Sequence, residues 1–260
     1  MLVLLSPAKT QDFASDVTLP SGLETTVPRM LPRAQAVVDT LRALPTQERH
    51  RRLKLTPRLI DAADQALAAW SGRTASECGK RPAAFAYTGE TYRGLAVREM
   101  NRLEIERLHR HVRILSAFYG VLRPLDCIEP YRLDFGTRLA VHDASSLYDF
   151  WRAEITAQLA RDIAEIDATA VVNLASAEFA RAVDAPALGV PFVTPEFRRR
   201  EDGKLKNVTV FTKQARGAMA RWIASQGVRS IEELHEFDEE GYRYEAAESS
   251  PDLPWFVRDA

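Results

Sequence analysis

The chain is poor in the residues that build metal and disulfide frameworks. It has two cysteines in 260 residues, Cys78 and Cys127, with no CxxC spacing, and five histidines scattered along its length. Two isolated thiols make neither a disulfide scaffold nor a zinc site, and they read as reduced, core-lying side chains. His109 and His111 would offer two ligands on an extended chain, but no Cys or carboxylate cluster completes a centre. No metal and no cofactor are therefore expected. Long apolar runs are absent too: nothing approaches the ~18–20 residues needed to cross a bilayer. The opening Met1, Leu2, Val3, Leu4 and Leu5 is too short for a signal peptide and lacks preceding basic residues. The expectation is a cytoplasmic protein with no membrane partner. There is no glycine-rich GK[ST] loop and no Ser-His-Asp or Cys-His arrangement.

What is present is an ordinary globular composition, 46% hydrophobic and 27% charged, enough for a substantial core. The net charge of −1 conceals an asymmetry. Residues 230–260 hold ten acidic and two basic side chains, or −8, so the rest of the chain carries +7. A basic body with an acidic end can present a positive face, unless the acids neutralise basic neighbours within the fold.

The residues after Met1 read as a buried first strand, 14–28 as a loop, and 33–43, 46–54 and 57–70 as helices, the last opened by Thr56 and Pro57. Residues 83–87 and 112–115 read as strands and 97–109 as a helix; 131–135 reads as extended. A helix over 147–164 is capped by Ser146, a strand covers 169–174, and a short helix covers 177–183. Residues 192–200 and 205–211 flank a turn at 201–204, which signals a hairpin. A helix over 213–225 stops at Gly227, and Ser230 with Glu233 forms a capping box. Interleaved strands and helices with no repeat or linker predict one compact α/β domain over 1–260, with a mixed sheet surrounded by helices.

Several clusters could carry chemistry. Ser6, Pro7, Ala8, Lys9 and Thr10 form a small-residue turn at a strand end, suited to an anion, although a turn lysine is ordinarily solvated. Asn173, Ser176 and Glu178 follow another strand, where ligand sites of open α/β sheets lie; equally, Ser176 would cap a helix and Asn173 satisfy backbone. Tyr119, Gly120, Arg123 and Arg132 lie in a proline-bounded stretch that would bring arginines and amides to a phosphate. Arg123 and Arg132 would equally pair with Asp126 and Asp134. Lys213, Arg216 and Gly217 share a helix face, with Arg221 further along; the small Gly217 would permit a phosphate backbone to approach closely. Basic runs at 49–54 and at 198–206 would neutralise phosphates or be solvated faces.

Taken together these residues resemble the YaaA peroxide-stress family across nearly the whole chain. The resemblance is carried by Ser6, Pro7, Ala8, Lys9 and Thr10; by Gly89, Tyr92, Gly94 and Leu95; and by Ser116, Tyr119, Gly120, Arg123, Pro124 and Asp126. It continues through Pro130, Tyr131, Arg132, Leu133 and Gly136; Phe150 and Trp151; Asn173, Ser176 and Glu178; and Lys213, Arg216, Gly217, Gly241 and Tyr242. The resemblance implies protection against peroxide by limiting iron-linked damage. It also implies binding of double-stranded DNA through a basic cleft and a helix-hairpin-helix-like element, set around residues 116–126. DNA-binding residues would be Lys9, Tyr119, Gly120, Arg123, Arg132, Lys213, Arg216 and Arg221. Ala117 stands where the family carries glycine, Ala177 where aspartate is common, Phe179 where tyrosine is usual. Glu90 and Asp134 each exchange one acid for the other. The lost glycine weakens the hairpin and the lost aspartate weakens an acid–base site. A binding protein without catalysis is favoured. The alternative is an enzyme acting on a nucleotide or DNA base, glycosidase-like, with Asn173, Ser176 and Glu178 opposite Lys9 and a nucleotide or other small molecule as ligand. Direct iron sequestration is disfavoured by the dispersed histidines and cysteines.

Overall fold

The computed structural model describes residues 1–72 and 81–259. Cys78 lies outside the described residues. Strand Leu2–Leu5 is a continuous apolar run with every residue buried, the pattern of a strand covered on both faces. It is the centre of a five-stranded sheet in the order Gly120–Leu122, Val112–Ser116, Leu2–Leu5, Val171–Asn173, Phe192–Val193. Val3 lies opposite Val112 on one side and Val172 on the other, both in parallel register. Only the edge strand Gly120–Leu122 runs antiparallel. The sheet is therefore mixed, and helices surround it. Parallel pairing puts the carboxyl ends of the three central strands at one end of the sheet. Among the described residues no helix is long and apolar enough to cross a membrane.

A second sheet runs in the order Lys204–Lys206, Glu196–Glu201, Trp255–Asp259, Arg243–Tyr244. Its expected hairpin turns through Asp202 and Gly203, both at positive φ (51° and 71°), as a tight two-residue turn requires. The second arm ends at Lys206 rather than at 211, because the helix Thr209–Gln226 begins there and claims those backbone groups. That helix stops at Gly227, which is left-handed with φ 70°. Residues 83–87 also depart from expectation. Ala83–Ala86 is a single helical turn, and only Tyr87–Thr88 is extended, pairing with Thr10–Gln11. A short apolar run does not declare its period, and alanine favours the helix. Ser230 and Glu233 form a near-capping box: the Ser230 hydroxyl accepts from Glu233 N–H at 3.3 Å, but the Glu233 carboxylate reaches the Arg229 N–H (3.1 Å) instead of that of Ser230.

The segment 116–126 is not helix-hairpin-helix-like; it is the turn and return strand of a β-hairpin. Strands Val112–Ser116 and Gly120–Leu122 are joined by three residues, and the Ser116 hydroxyl accepts from the N–H groups of Phe118 (3.2 Å) and Tyr119 (3.1 Å). Gly120 supplies the positive φ of 72°, and its α-carbon is wedged where a Cβ would lie 2.6 Å from Met30 Sδ. Ala117 is not in the left-handed region, so the missing glycine there costs no strain. Its carbonyl accepts from Trp151 Nε1 at 2.7 Å.

One internal ionic cluster ties the sheet to the helix Leu147–Glu165. The fully buried Asp162 accepts from Arg29 (2.7 and 2.9 Å), from Arg113 Nε (2.7 Å) and from Gln158 (3.1 Å). Burial pulls the Arg113 guanidinium below the usual arginine range, and Asp162 opposes that shift.

Candidate functional site

The carboxyl ends of the parallel strands open into a cleft. The chain leaves Leu5 into Ser6, whose hydroxyl accepts from Ser176 N–H at 2.9 Å and so ties the exits of the first strand and Val171–Asn173 together. Tyr92 donates to the Ser6 carbonyl at 3.0 Å from the helix Glu90–Leu95. Glu90–Leu95 is packed backbone to backbone on Thr209–Gln226. A Cβ at Gly217 would lie 2.6 Å from the Leu95 nitrogen and closer still to the Thr91 carbonyl oxygen. At Gly94 one would lie 2.9 Å from Ala218 nitrogen. Gly217 thus admits a neighbouring helix rather than a ligand, and that contact sets Lys213 and Arg216 on the same cleft as residues 88–91.

The cleft has a volume of about 440 Å³ and is lined by residues 6–11, 88–91 and 131–134, with Ser176, Glu178, Phe179, Lys213 and Arg216. Four cations face it. Lys9 pairs with Asp134 at 2.7 Å, but its side chain is 63% exposed, so the pair holds it weakly. Arg132, Lys213 and Arg216 have no hydrogen bond or ion pair within 4 Å among the described residues. The Arg216 Nε is buried with no acceptor. Burial lowers its pKa, Glu196 opposes that and Arg198 adds to it. A half-buried guanidinium whose Nε lacks an acceptor is a costly arrangement that favours a nearby anion.

Among the acids of the cleft Glu90 is engaged and Glu178 is engaged through one oxygen. Glu90 accepts from Gln214 at 2.7 Å and pairs with Arg93 at 3.2 Å. One oxygen of Glu178 accepts from Gly136 N–H at 3.0 Å. Beneath the floor, the Tyr131 hydroxyl bonds Tyr87 OH (2.6 Å) and Ser116 Oγ (2.9 Å). Burial pushes Tyr131 up to about 12 and Tyr87 and Tyr92 well above the usual phenol range. These phenols stay protonated at neutral pH and act as donors, not bases.

Of the residues singled out in the sequence, Lys9, Arg132, Lys213, Arg216, Ser176 and Glu178 converge on this cleft. The others do not. Asn173 is buried below it, donating to Thr194 Oγ1 (3.2 Å) and accepting from Ala175 N–H (3.1 Å), which shapes the strand exit. Tyr119 is buried, its hydroxyl accepting from Trp70 Nε1 and Glu129 N–H, both at 3.0 Å. Gly120 is a packing glycine of the hairpin. Arg123 pairs with Asp126 at 2.9 Å, its local alternative; Arg132 does not pair with Asp134, which Lys9 takes instead. Arg221 is held by Glu239 at 2.8 Å. In the run 49–54, Arg49 and His50 bond Asp64, and Arg52 bonds Glu48. The acidic carboxyl end neutralises part of the basic body, through Glu239 on Arg221 and Glu245 on Arg200 (2.6 Å).

The hairpin residue Arg198, whose field reaches Arg216, pairs with Glu196 at 3.0 Å and stacks on Trp255. His109 accepts from Leu125 N–H at 3.2 Å, and burial lowers it to about 4, so it is neutral. Among the described residues no group of three or more His, Cys, Asp or Glu side chains is placed to hold a metal ion. Sequence reasoning missed Glu90 and Thr88 as parts of the site. The pairing of Thr10 with Thr88, across 78 residues, and the bond from Gln214 to Glu90 bring them there.

A family model described as "Peroxide stress protein YaaA" matches residues 1–248. A UPF0246 protein of Dinoroseobacter shibae is 41% identical over 99% of this chain and 95% of its own length. One from Idiomarina loihiensis is 39% identical, covering 99% and 98%. One from Ruegeria pomeroyi is 38% identical with the same coverage.

Proposed function

The chain belongs to the peroxide stress protein YaaA family, and from that premise we propose that it protects by binding the phosphates of duplex DNA through its basic cleft. The observation that carries this reading is the set of cations without partners, Arg132, Lys213 and Arg216, converging beside Lys9 on one hollow. Cations seated on phosphates displace the counterions condensed there. Ferrous iron held on DNA is one such counterion. Occupying its phosphates moves the reactive metal away from the bases, which limits iron-linked damage without a metal site in the protein. The basic hairpin at 198–206 adds little to this surface, because Arg198, Arg200 and Lys206 are paired with Glu196, Glu245 and Glu201.

The test is fluorescence anisotropy of a labelled duplex. With four cations on four phosphates, the logarithmic salt slope is about −3.6, and affinity falls roughly 150-fold between about 50 and 200 mM salt. Absence of binding at low salt to any duplex or junction refutes the proposal.

A further inference from the structure

We infer that the cleft is built for a single nucleoside monophosphate unit, its phosphate on Lys213, Arg216 and Arg132 and its sugar and base toward Glu178 and Asp134. The inference rests on the reading of the cleft as a phosphate site and goes on to name what enters it.

Size comes first. A duplex, whose grooves alone are about 6 and 12 Å wide, sets its phosphates on the cations at the rim of a hollow of about 440 Å³ and leaves its interior unfilled. That volume sits at the lower end of pockets for small organic ligands, roughly 300–1,000 Å³, and far exceeds what one inorganic anion fills.

Charge comes second. A surface serving only a phosphate backbone would be lined with cations and neutral donors. Here Glu178 and Asp134 line the same hollow as the unpaired cations. Among the described residues Glu178 spends one oxygen on Gly136 N–H and has no hydrogen bond on the other, and the carboxylate of Asp134 is held by the exposed Lys9 alone. Carboxylates with spare acceptor capacity repel a bare anion and favour a ligand that also carries donors. Sugar hydroxyls and base amino or imino groups are such donors. Phe179 and Tyr131, both in the lining, give apolar surface to a base or sugar face. A hollow lined both by cations and by carboxylates with an acceptor oxygen to spare fits a ligand that carries a phosphate and hydrogen-bond donors together, as a nucleotide does.

Two sources carry this chemistry: a free mononucleotide, and a nucleotide turned out of a DNA strand into the cleft. The experiment separates them. Full-length protein is titrated by calorimetry at low salt with the four deoxynucleoside monophosphates, the matching nucleosides, and inorganic phosphate. At least one monophosphate binds about tenfold or more tightly than both its nucleoside and inorganic phosphate. Lys213→Gln, at an exposed side chain with no partner among the described residues, weakens that monophosphate about tenfold and leaves the nucleoside unchanged. Glu178→Gln weakens the monophosphate and leaves inorganic phosphate unchanged or tighter. In the second arm, a duplex with a central 2-aminopurine is titrated with protein. A rise in its fluorescence identifies the strand as the source. Monophosphate binding without that rise identifies the free nucleotide.

Equal affinity for phosphate and every monophosphate, or no binding in either arm, overturns the inference. So does a monophosphate affinity that Lys213→Gln and Arg132→Gln both leave unchanged. The two readings fail separately. Duplex binding that weakens with salt but with neither monophosphate binding nor a rise in 2-aminopurine fluorescence ends this inference alone, and monophosphate binding with no duplex binding ends the DNA reading alone.

Discussion

Replacing Gly217 by alanine opposes two effects that the structure allows to be weighed. Within the helix Thr209–Gln226, glycine is a poor helix former, and alanine there would stabilise by about 1 kcal/mol on propensity alone. The added Cβ, however, would stand 2.6 Å from the Leu95 nitrogen and nearer still to the Thr91 carbonyl. Both are backbone atoms of Glu90–Leu95 and cannot rotate aside, so to reach contact distances of about 3.5 Å the two helices must separate by roughly 2 Å, the nearer Thr91 oxygen setting the distance. Overpacking of this kind costs about 1–3 kcal/mol, and rigid backbone on both sides sets it at the top of that range or above. A net loss of about 2–3 kcal/mol follows, which lowers Tm by roughly 4–10 °C in a chain of this size. Gly94→Ala acts on the same contact, so the double variant loses less than the sum of the two. Separation also shifts Lys213 and Arg216, so duplex affinity falls in the variant that remains folded at the assay temperature. Differential scanning calorimetry reads the stability. A Tm equal to or above that of the parent would refute the argument, because propensity would then have won.

Three other outcomes follow from buried polar groups. Tyr119→Phe removes the acceptor of Trp70 Nε1 and Glu129 N–H and costs about 1–3 kcal/mol in chemical denaturation, while duplex affinity at fixed folded fraction stays put. A fall in affinity would mean that Tyr119 contacts DNA. Asp162→Ala leaves Arg29 and Arg113 buried without their carboxylate and lowers stability by about 3–5 kcal/mol; a neutral effect would show that the cluster is better replaced than kept. His109 is about 4 when folded against 6.5 when unfolded, so the unfolded chain binds the extra proton between those values. Its contribution to stability is intact above pH 6.5 and is lost as pH falls toward 4, by at most roughly 3 kcal/mol. His109→Gln flattens that part of the stability–pH curve, and an unchanged curve would place the titration elsewhere.

Local patterns made much of the fold legible. The apolar run Leu2–Leu5, the turn at Asp202 and Gly203, and the helix Leu147–Glu165 each carry their signal within a few residues. Ser146 caps that helix as expected, accepting from Asp149 N–H. The site was legible in its ingredients but not in its assembly. Lys9, Arg132 and Arg216 come from three separate regions and meet, whereas Arg123 is drawn away by Asp126, three residues along the chain. Which acid captures which arginine depends on tertiary distance: Lys9 and Asp134 are far apart in sequence, and no spacing rule joins them. Gly217 illustrates the other gap. Its smallness was evident, but that its neighbour is a helix rather than a ligand follows only from packing. Tyr119 and Gly120 look like loop residues in a proline-rich stretch, yet they sit in the core because the stretch folds as an edge hairpin.

The most direct test of the account compares salt slopes of duplex binding for the parent and for the variant carrying Arg132→Gln with Lys213→Gln. Neither position has a hydrogen bond or ion pair among the described residues, so the substitutions break no such contact there and the cleft loses charge. Two fewer phosphate contacts reduce the slope from about −3.6 to about −1.8. A variant with the parent's slope and affinity would show that DNA, if bound, is held elsewhere on the molecule.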